Sequence, residues 1–216
     1  MIIDLHFHTA AYSGCSAISL ESGLAKARDM GVDGICLTEH NVFADYGNLD
    51  ALGKAYNLRI FVGTEILTCQ GDILCFGLDE IPKSEISAQE LLCRMEALGG
   101  ATIAAHPYRQ NGRGLGNLAG ELSNLTAVEA YNGNTRPCNN GKAIGLSLKT
   151  GLPMTGGSDA HSLNRVGVYA TRFDAPVESM ADLVSQLRGG QFRPVIYEKE
   201  LKRFLDLPVR LDCTHI

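Results

Sequence analysis

Five of the chain's six histidines fall in four short clusters: Asp4-Leu5-His6-Phe7-His8-Thr9, Thr38-Glu39-His40-Asn41, Ala105-His106-Pro107 and Gly157-Ser158-Asp159-Ala160-His161. Each cluster closes a short apolar run, where a strand is predicted to end, and three of the four also carry a carboxylate. Histidines kept for packing have no reason to repeat this arrangement, whereas imidazoles and carboxylates gathered at one mouth make a divalent-metal site. His6 and His8 are two residues apart in an extended segment, so both side chains leave the same face and reach one ion. That pair alone is a weak motif. With the other three clusters it predicts a metal-dependent hydrolase.

The elements that must position these residues follow from the alternation of apolar runs with helical patterns. Residues 2–6 are predicted as a first strand, and 19–30 as a helix capped near Ser19 and stopped by Gly31. A strand over 34–38, a helix over 47–57 and a strand over 60–63 come next. Residues 73–77 then form a hairpin with the segment after Glu65, turned at Gln70-Gly71-Asp72. Ser87 stands three residues before Glu90 as in a capping box, and its helix runs to about Leu98 before Gly99-Gly100. Strands over 102–105 and 127–131, a helix near 138–150, the run 153–156, a strand over 166–171 and a helix over 179–188 complete the pattern. Repeated β-then-α units without a dinucleotide glycine fingerprint predict an α/β barrel or barrel-like sheet. In such a barrel the active site forms at the C-terminal ends of the strands. His6 and His8, Glu39 and His40, Glu65, His106, and Asp159 and His161 would then all face one mouth.

Composition narrows the class. The 216 residues, 45% hydrophobic, suffice for one domain with a full core, and no Ser/Pro/Gly-rich stretch or charge run marks a linker. A net charge of -5 argues against a general nucleic-acid coat, while leaving room for a local basic pocket. The seven cysteines, at 15, 36, 69, 75, 93, 138 and 213, include no CxxC pair and form no even-numbered framework. Cys36 and Cys75 lie inside apolar runs, as small buried hydrophobes of a reducing cytoplasm do. The opening Met1-Ile2-Ile3-Asp4 has no basic then apolar leader pattern, and no segment approaches the roughly 18 apolar residues of a membrane span. A soluble cytoplasmic protein with no membrane partner is expected.

The motifs DLHFHT, TEHN, GTE, AHP and GSDAH, in this order, resemble the signatures of the polymerase and histidinol phosphatase (PHP) family of metal-dependent phosphoesterases. The resemblance spans residue 1 to about 195. It implies a distorted (β/α)7 barrel of TIM-like kind over 1–195, with 196–216 a tail packed on the barrel, and two or three divalent ions at the mouth. Carried onto this sequence, it implies that His6, His8, Glu65 and Asp159 hold a first ion, with Glu65 bridging to a second that also takes His106. His40 and His161 would hold a third. Glu39 stands where the family usually has Asp and is expected to orient a histidine; Asp4 has the same expected role.

The chain also departs from the family pattern. Many members carry an acidic or histidine ligand after the first motif, often as SDG, where this chain reads Tyr12-Ser13-Gly14-Cys15. Cys15 is either a thiolate substitute or a loop cysteine without function. Asp72 is either a metal ligand or a turn residue selected for its own backbone hydrogen bonding. Glu129, ending a predicted strand, is either part of the site or one half of a surface ion pair. Arg109, Arg165 and Arg113, the last in the loop Asn111-Gly112-Arg113-Gly114, are candidates to grip a phosphate with planar bidentate donors, and Lys142 is a weaker one. Glycines 112, 114 and 116 suggest a flexible lid.

Two cations about 4 Å apart lower the pKa of a bridging water, hold phosphoryl oxygens and neutralise a leaving alkoxide, so no Ser or Cys nucleophile is required. Mixed nitrogen and oxygen donors suit Zn, Mn or Fe better than an all-oxygen Mg site. The expected substrate is a small phosphomonoester, a nucleotide or an oligonucleotide end, because no insertion large enough for a capping domain separates the motifs. Stable duplex binding is not expected. Two alternatives stand beside this: a non-catalytic metal-binding regulatory or interaction module, and an amidohydrolase-like C–N hydrolase. The second would normally add a carboxylated Lys or a further His, and no Lys sits at a predicted strand end. Residues 197–216 read as a short amphipathic helix and an irregular end, with His215 on the surface. Oligomeric state is not encoded in these patterns.

Overall fold

The computed structural model of the chain describes residues 1–209, so Cys213 and His215 lie outside the described residues. In chain order the elements are β1 (Ile2–Phe7), α1 (Leu20–Asp29), β2 (Gly34–Leu37), α2 (Leu49–Tyr56), β3 (Arg59–Val62), β4 (Thr64–Leu67) and β5 (Asp72–Phe76). There follow α3 (Ala88–Ala97), β6 (Ala101–Ala104), β7 (Ala127–Asn132), α4 (Pro137–Thr150), β8 (Met154–Gly157), β9 (Tyr169–Phe173), α5 (Met180–Gly189), β10 (Phe192–Glu198) and β11 (Arg203–Asp206).

The helix boundaries have local causes. Ser19 and Ser87 each accept a backbone N–H from three residues on, at the start of α1 and α3. The reciprocal capping box, expected at Ser87, forms instead at Ser179 and Asp182 on α5. α4 begins at Pro137 and ends at Gly151 in the left-handed region, the asymmetry that proline and glycine favour. Each helix buries one stripe on a sheet: α1 places Leu20, Leu24 and Ala27 in a cluster with Ile35 and Leu37, and α3 places Leu91, Leu92 and Met95 against Ile73 and Val128. Leu183 and Leu187 of α5 join Phe76, Ile103 and Phe173. At about 1.5–3 kcal/mol per buried large apolar side chain, these stripes hold the helices that propensity alone would leave marginal.

The strands form two sheets, β11-β10-β9-β1-β2-β3 and β4-β5-β6-β7-β8, rather than one closed parallel barrel. β1-β2-β3 and β6-β7-β8 are parallel, but β4-β5, β5-β6, β1-β9, β9-β10 and β10-β11 are antiparallel. The reason is loop length: the turn joining β4 to β5, where Thr68 Oγ1 donates to Gly71 O at 2.6 Å, cannot carry the crossover a parallel pair needs. The link from β8 to β9 holds only a 3-10 turn at Leu163–Arg165, so β9 also returns antiparallel. The sheets meet at two isolated parallel bridges, Phe7 with Ala160 and His40 with Glu65. Both bridges fall on the sequence clusters that carry the candidate ligands.

The segment expected to be an amphipathic helix after Tyr197 is a β-hairpin. Val195 to Glu198 pair with Arg203 to Asp206, and Tyr197 packs edge-on to Phe204. Leu201 and Phe204 are three apart, as on a helix face, but the alternation that matters runs from Val195 through Tyr197 with β-branched and aromatic residues. No helix among the described residues is long and apolar enough to cross a membrane.

Candidate metal centre

β1 delivers His6 in its last turn of pleat and His8 just beyond it; β2 is followed by Glu39 and His40, β4 carries Glu65, β6 leads to His106, and β8 leads to Asp159 and His161. All seven imidazole and carboxylate candidates predicted for the ions, together with Asp72 and Glu129, converge at this end of the sheets. Asp72 arrives by a different route. Because β5 runs antiparallel, its N-terminal end points to the mouth, and Asp72 is fully buried there as the first residue of a strand instead of standing in an exposed turn.

Glu65 is the hub. Its Oε1 lies 2.9 Å from His106 Nε2 and 3.6 Å from His6 Nε2, and its Oε2 lies 3.3 Å from His8 Nε2 and 2.7 Å from His40 Nδ1. Asp159 Oδ1 is 3.6 Å from His6 Nε2 and 3.4 Å from His8 Nε2. The two histidine Nε2 atoms themselves are 3.0 Å apart. Ligand atoms of four triplets each lie within 4.8 Å of one another: His6, His8, Glu65; His6, His106, Asp159; Glu65, Asp72, His106; and His8, His40, His161.

Several neighbours fix the ligand candidates in place. Glu129, buried and not a surface ion-pair residue, contacts His6 Nδ1 at 3.0 Å through Oε1 and accepts the His106 backbone N–H at 2.9 Å through Oε2. Glu39 accepts the Thr9 backbone N–H at 2.9 Å and the Ser13 hydroxyl, and lies 3.7 Å from His8 Nδ1. Asp4 accepts the Ser158 N–H at 2.9 Å, tying β1 to the turn that holds Asp159. Asn132, with no role assigned from the sequence, donates through Nδ2 to Glu129 at 2.9 Å and Asp159 at 3.1 Å and accepts from Arg109 at 2.7 Å. A register shift between Glu129 and Tyr131 in β7 brings Asn132 to the face of Glu129 although the two are three residues apart, so strict alternation hides it.

Backbone geometry tightens around the same atoms. His106 and Asp159 adopt φ of 30° and 45°, a region non-glycine residues visit at a cost, and one that marks functional positions. A Cβ on Gly157 would stand 2.5 Å from Glu129 Oε1 and 2.8 Å from His6 Cβ, so glycine is what lets the His6–Glu129 pair pass close to β8. The glycine-rich loop is packed rather than a loose lid: a Cβ on Gly114 would lie 2.4 Å from Pro107 O, and Gly116 N–H donates to that same oxygen at 2.7 Å.

Electrostatics in the mouth are severe. Burial alone would raise the Glu65 and Asp159 carboxyls, but the His6 ring, with His106 and His40 on Glu65 and His8 and Arg109 on Asp159, holds both well below the usual carboxylate range. Burial likewise opposes protonation of His6 and His8, yet the surrounding carboxylates push both well above an ordinary imidazole. Burial raises Asp4 to about 6 against the hydrogen bonds from Ser158. Even so, Asp159 Oδ1, fully shielded from solvent, has no hydrogen-bond donor, and Glu65 Oε2 has His40 Nδ1 near it at 2.7 Å without an aligned hydrogen bond. A buried anionic oxygen left without a donor is costly. Oxygens and imidazole nitrogens aimed at a shared space are the donor set divalent cations take, so these residues fit such ions.

The three predicted arginines are all at the rim and all engaged. Arg109 pairs with Asp159 and reaches Thr135 Oγ1 at 3.2 Å; Arg113 grips Asp72 at 2.6 and 2.8 Å; Arg165 donates to Gly133 O. Lys142 lies on α4, away from these contacts. Cys15 is exposed, and its Sγ is 3.4 Å from His40 Nε2 and 3.1 Å from His161 Nε2.

Comparison with known proteins agrees with this architecture. An uncharacterized protein of Methanocaldococcus jannaschii is 32% identical over 143 residues, covering 61% of this chain and 82% of that protein. Among solved structures, PsfC from Pseudomonas syringae superposes with a TM-score of 0.65 at 18% identity, covering 93% of this chain and 92% of PsfC. A protein described as a metal-dependent phosphoesterase, from Bifidobacterium adolescentis, superposes at 0.61 with 16% identity, covering 74% of this chain and 87% of its own. The PHP-domain family model matches residues 4–143 and the PHP-associated model residues 137–192. With well over half the chain matched, and the matched span holding the hub glutamate and four of the mouth's five histidines, this protein belongs to the PHP family.

Proposed function

We propose that the protein is a metal-dependent hydrolase of phosphate esters. The observation that carries this reading is the convergence of the buried Glu65 and Asp159 carboxylates on imidazole nitrogens of His6, His8, His40 and His106, with Asp159 Oδ1 left without a hydrogen-bond donor. The fold likeness to a protein described as a metal-dependent phosphoesterase supports it. His6, His8, Glu65 and Asp159 would hold one divalent ion, Glu65 and His106 a second with Asp72 in reach, and His40 and His161 a third; Zn, Mn or Fe suits this donor set. When bound, such ions supply water activation and charge neutralisation at phosphorus.

The chain's own residues do the rest. Glu129 holds His6 through Nδ1, which leaves Nε2 toward Glu65 and Asp159, and Glu39 and Ser13 do the same for His8. Arg109 and Arg113 spend Nε and Nη2 on the protein, so Nη1 of each is the guanidinium edge left for a phosphate oxygen, and Arg165 stands on the same rim. Thr135 and Asn132 fix the Arg109 plane in that pose. The rim, with Gly114 and Gly116 of its loop packed on Pro107, suits a small phosphomonoester, a nucleotide or a free oligonucleotide end.

Metal content by elemental analysis, beside turnover of an aryl phosphate before and after chelation and metal return, tests the proposal. Two or three ions per chain with chelator-sensitive, restorable hydrolysis is the expected result. One ion or none, without turnover under any metal, would leave a non-catalytic module.

A further inference from the structure

The site proposed above uses imidazole and carboxylate donors, yet a sulfur stands among them. Cys15 Sγ is 3.1 Å from His161 Nε2 and 3.4 Å from His40 Nε2, and His8, His40 and His161 bring ligand nitrogens within 4.8 Å of one another. Ligands of a tetrahedral ion at about 2.3 Å for sulfur and about 2.0–2.1 Å for nitrogen are separated by roughly 3.5 Å, close to both observed spacings. We propose that Cys15 is a thiolate ligand, completing with His40 and His161 an outer metal position distinct in chemistry from the inner carboxylate-rich one.

The hydrogen bonding of the rings supports this assignment. His161 Nδ1 lies 2.9 Å from the Asp159 main-chain oxygen, its shorter contact, and 3.2 Å from Asn134 Nδ2; donation from Nδ1–H to that carbonyl makes Nε2 the lone-pair nitrogen facing Cys15. His40 turns Nδ1 toward Glu65 and Arg113 and Nε2 toward the sulfur. His8 borders this position from the inner side, its Nε2 lying 3.4 Å from the buried Asp159 Oδ1 of the inner position while its ring stacks on His40 with centroids 4.4 Å apart, so the His8, His40 and His161 group forms the outer wall of the centre. The loop is fixed for the purpose: Ser13 N–H donates to Thr9 O, Ser16 N–H to Ser13 O and Ala17 N–H to His161 O, so the turn that carries Cys15 is tied to the segment that carries its partner histidine. A soft thiolate at this position selects zinc, cobalt(II) or ferrous iron over manganese or magnesium, while the inner position keeps its harder donors.

This inference rests on the metal-centre reading, and cobalt spectroscopy separates the two. The full chain loaded with cobalt(II) is expected to show visible d–d bands and a near-ultraviolet sulfur-to-cobalt charge-transfer band. Cys15→Ser should lose the charge-transfer band and bind one fewer cobalt, with an unchanged circular dichroism spectrum, while Cys69→Ser, at another exposed cysteine, should keep both. Zinc loading should slow alkylation of Cys15 about tenfold and leave Cys69 unaffected. d–d bands without a charge-transfer band, or a charge-transfer band that survives in Cys15→Ser, would overturn the thiolate assignment alone. No cobalt uptake at all would overturn it together with the metal centre.

Discussion

The two ends of the strands pose opposite cases. At the end where β3 begins, a broad depression of about 1030 Å³ is lined by Met1, Asp33, Lys54, Asn57, Arg59 and Glu178 among others. Its charged groups sit in water; Arg59 and Glu178, paired across it, have half-exposed side chains. At the mouth, by contrast, Asp4, His6, His8, Glu39, Glu65, Asp72, Asp159 and their neighbours are withdrawn from solvent, and some of their oxygens find no donor. A chain tolerates such burial only when the groups pair with one another and with something they bind. Volume locates a dent in the surface, whereas stranded buried charge locates chemistry.

The sharpest way to break that contrast is at its centre. Replacing His6 and His8 together by Ala should lower phosphatase activity by at least about 10³-fold while circular dichroism shows a folded protein. Retained turnover would sink the catalytic assignment. The next effect is one of pH, in the metal-free protein. Asp4 ionises with a pKa near 3.8 when unfolded and about 6 when folded. Its raised value means that stability is full below 3.8, declines as pH rises through that window, and is lower by about 3 kcal/mol above 6. In urea unfolding across that range, Asp4→Asn should lack this slope; a difference from wild type that does not change with pH would show that burial does not perturb Asp4.

Glu129→Gln is a narrower change, because among the described residues the hydrogen bonds of this carboxylate go to His6, His106 and Asn132. Competition with a chromophoric chelator should show metal affinity reduced about 10–100-fold, the usual effect of losing the partner that orients a histidine ligand. Unchanged affinity would make Glu129 a packing residue. The smallest effect belongs to the other end: Arg59→Ala should change stability by about 0–1 kcal/mol and leave turnover untouched, since both partners of its ion pair are exposed. A marked loss of turnover there would mean that the large depression, and not the mouth, participates in function.

Much of the mouth was legible in the sequence because its residues announce themselves by type at strand ends. His6, His8, Glu65 and Asp159 needed only the rule that parallel strands present their C-terminal ends together. The rule failed where the strands do not run parallel. Asp72 reaches the mouth from the start of antiparallel β5, and the sheets stay separate because short connections replace crossovers at β4–β5 and β8–β9. Asn132 was hidden by the register shift in β7, and the hairpin at 195–206 by a spacing of Leu201, Phe204 and Leu205 that mimics a helix face. Glu129 and Cys15 were visible as residue types, but whether each pointed inward or outward depends on partners a hundred or more positions away in the chain, which no local pattern encodes.

Anomalous X-ray diffraction from crystals grown with zinc and, separately, manganese bears most directly on the mouth. Peaks enclosed by His6, His8, Glu65, His106 and Asp159 are expected with either metal. The absence of anomalous density there, or strong peaks only among surface carboxylates, would contradict the claim that the mouth is a metal centre.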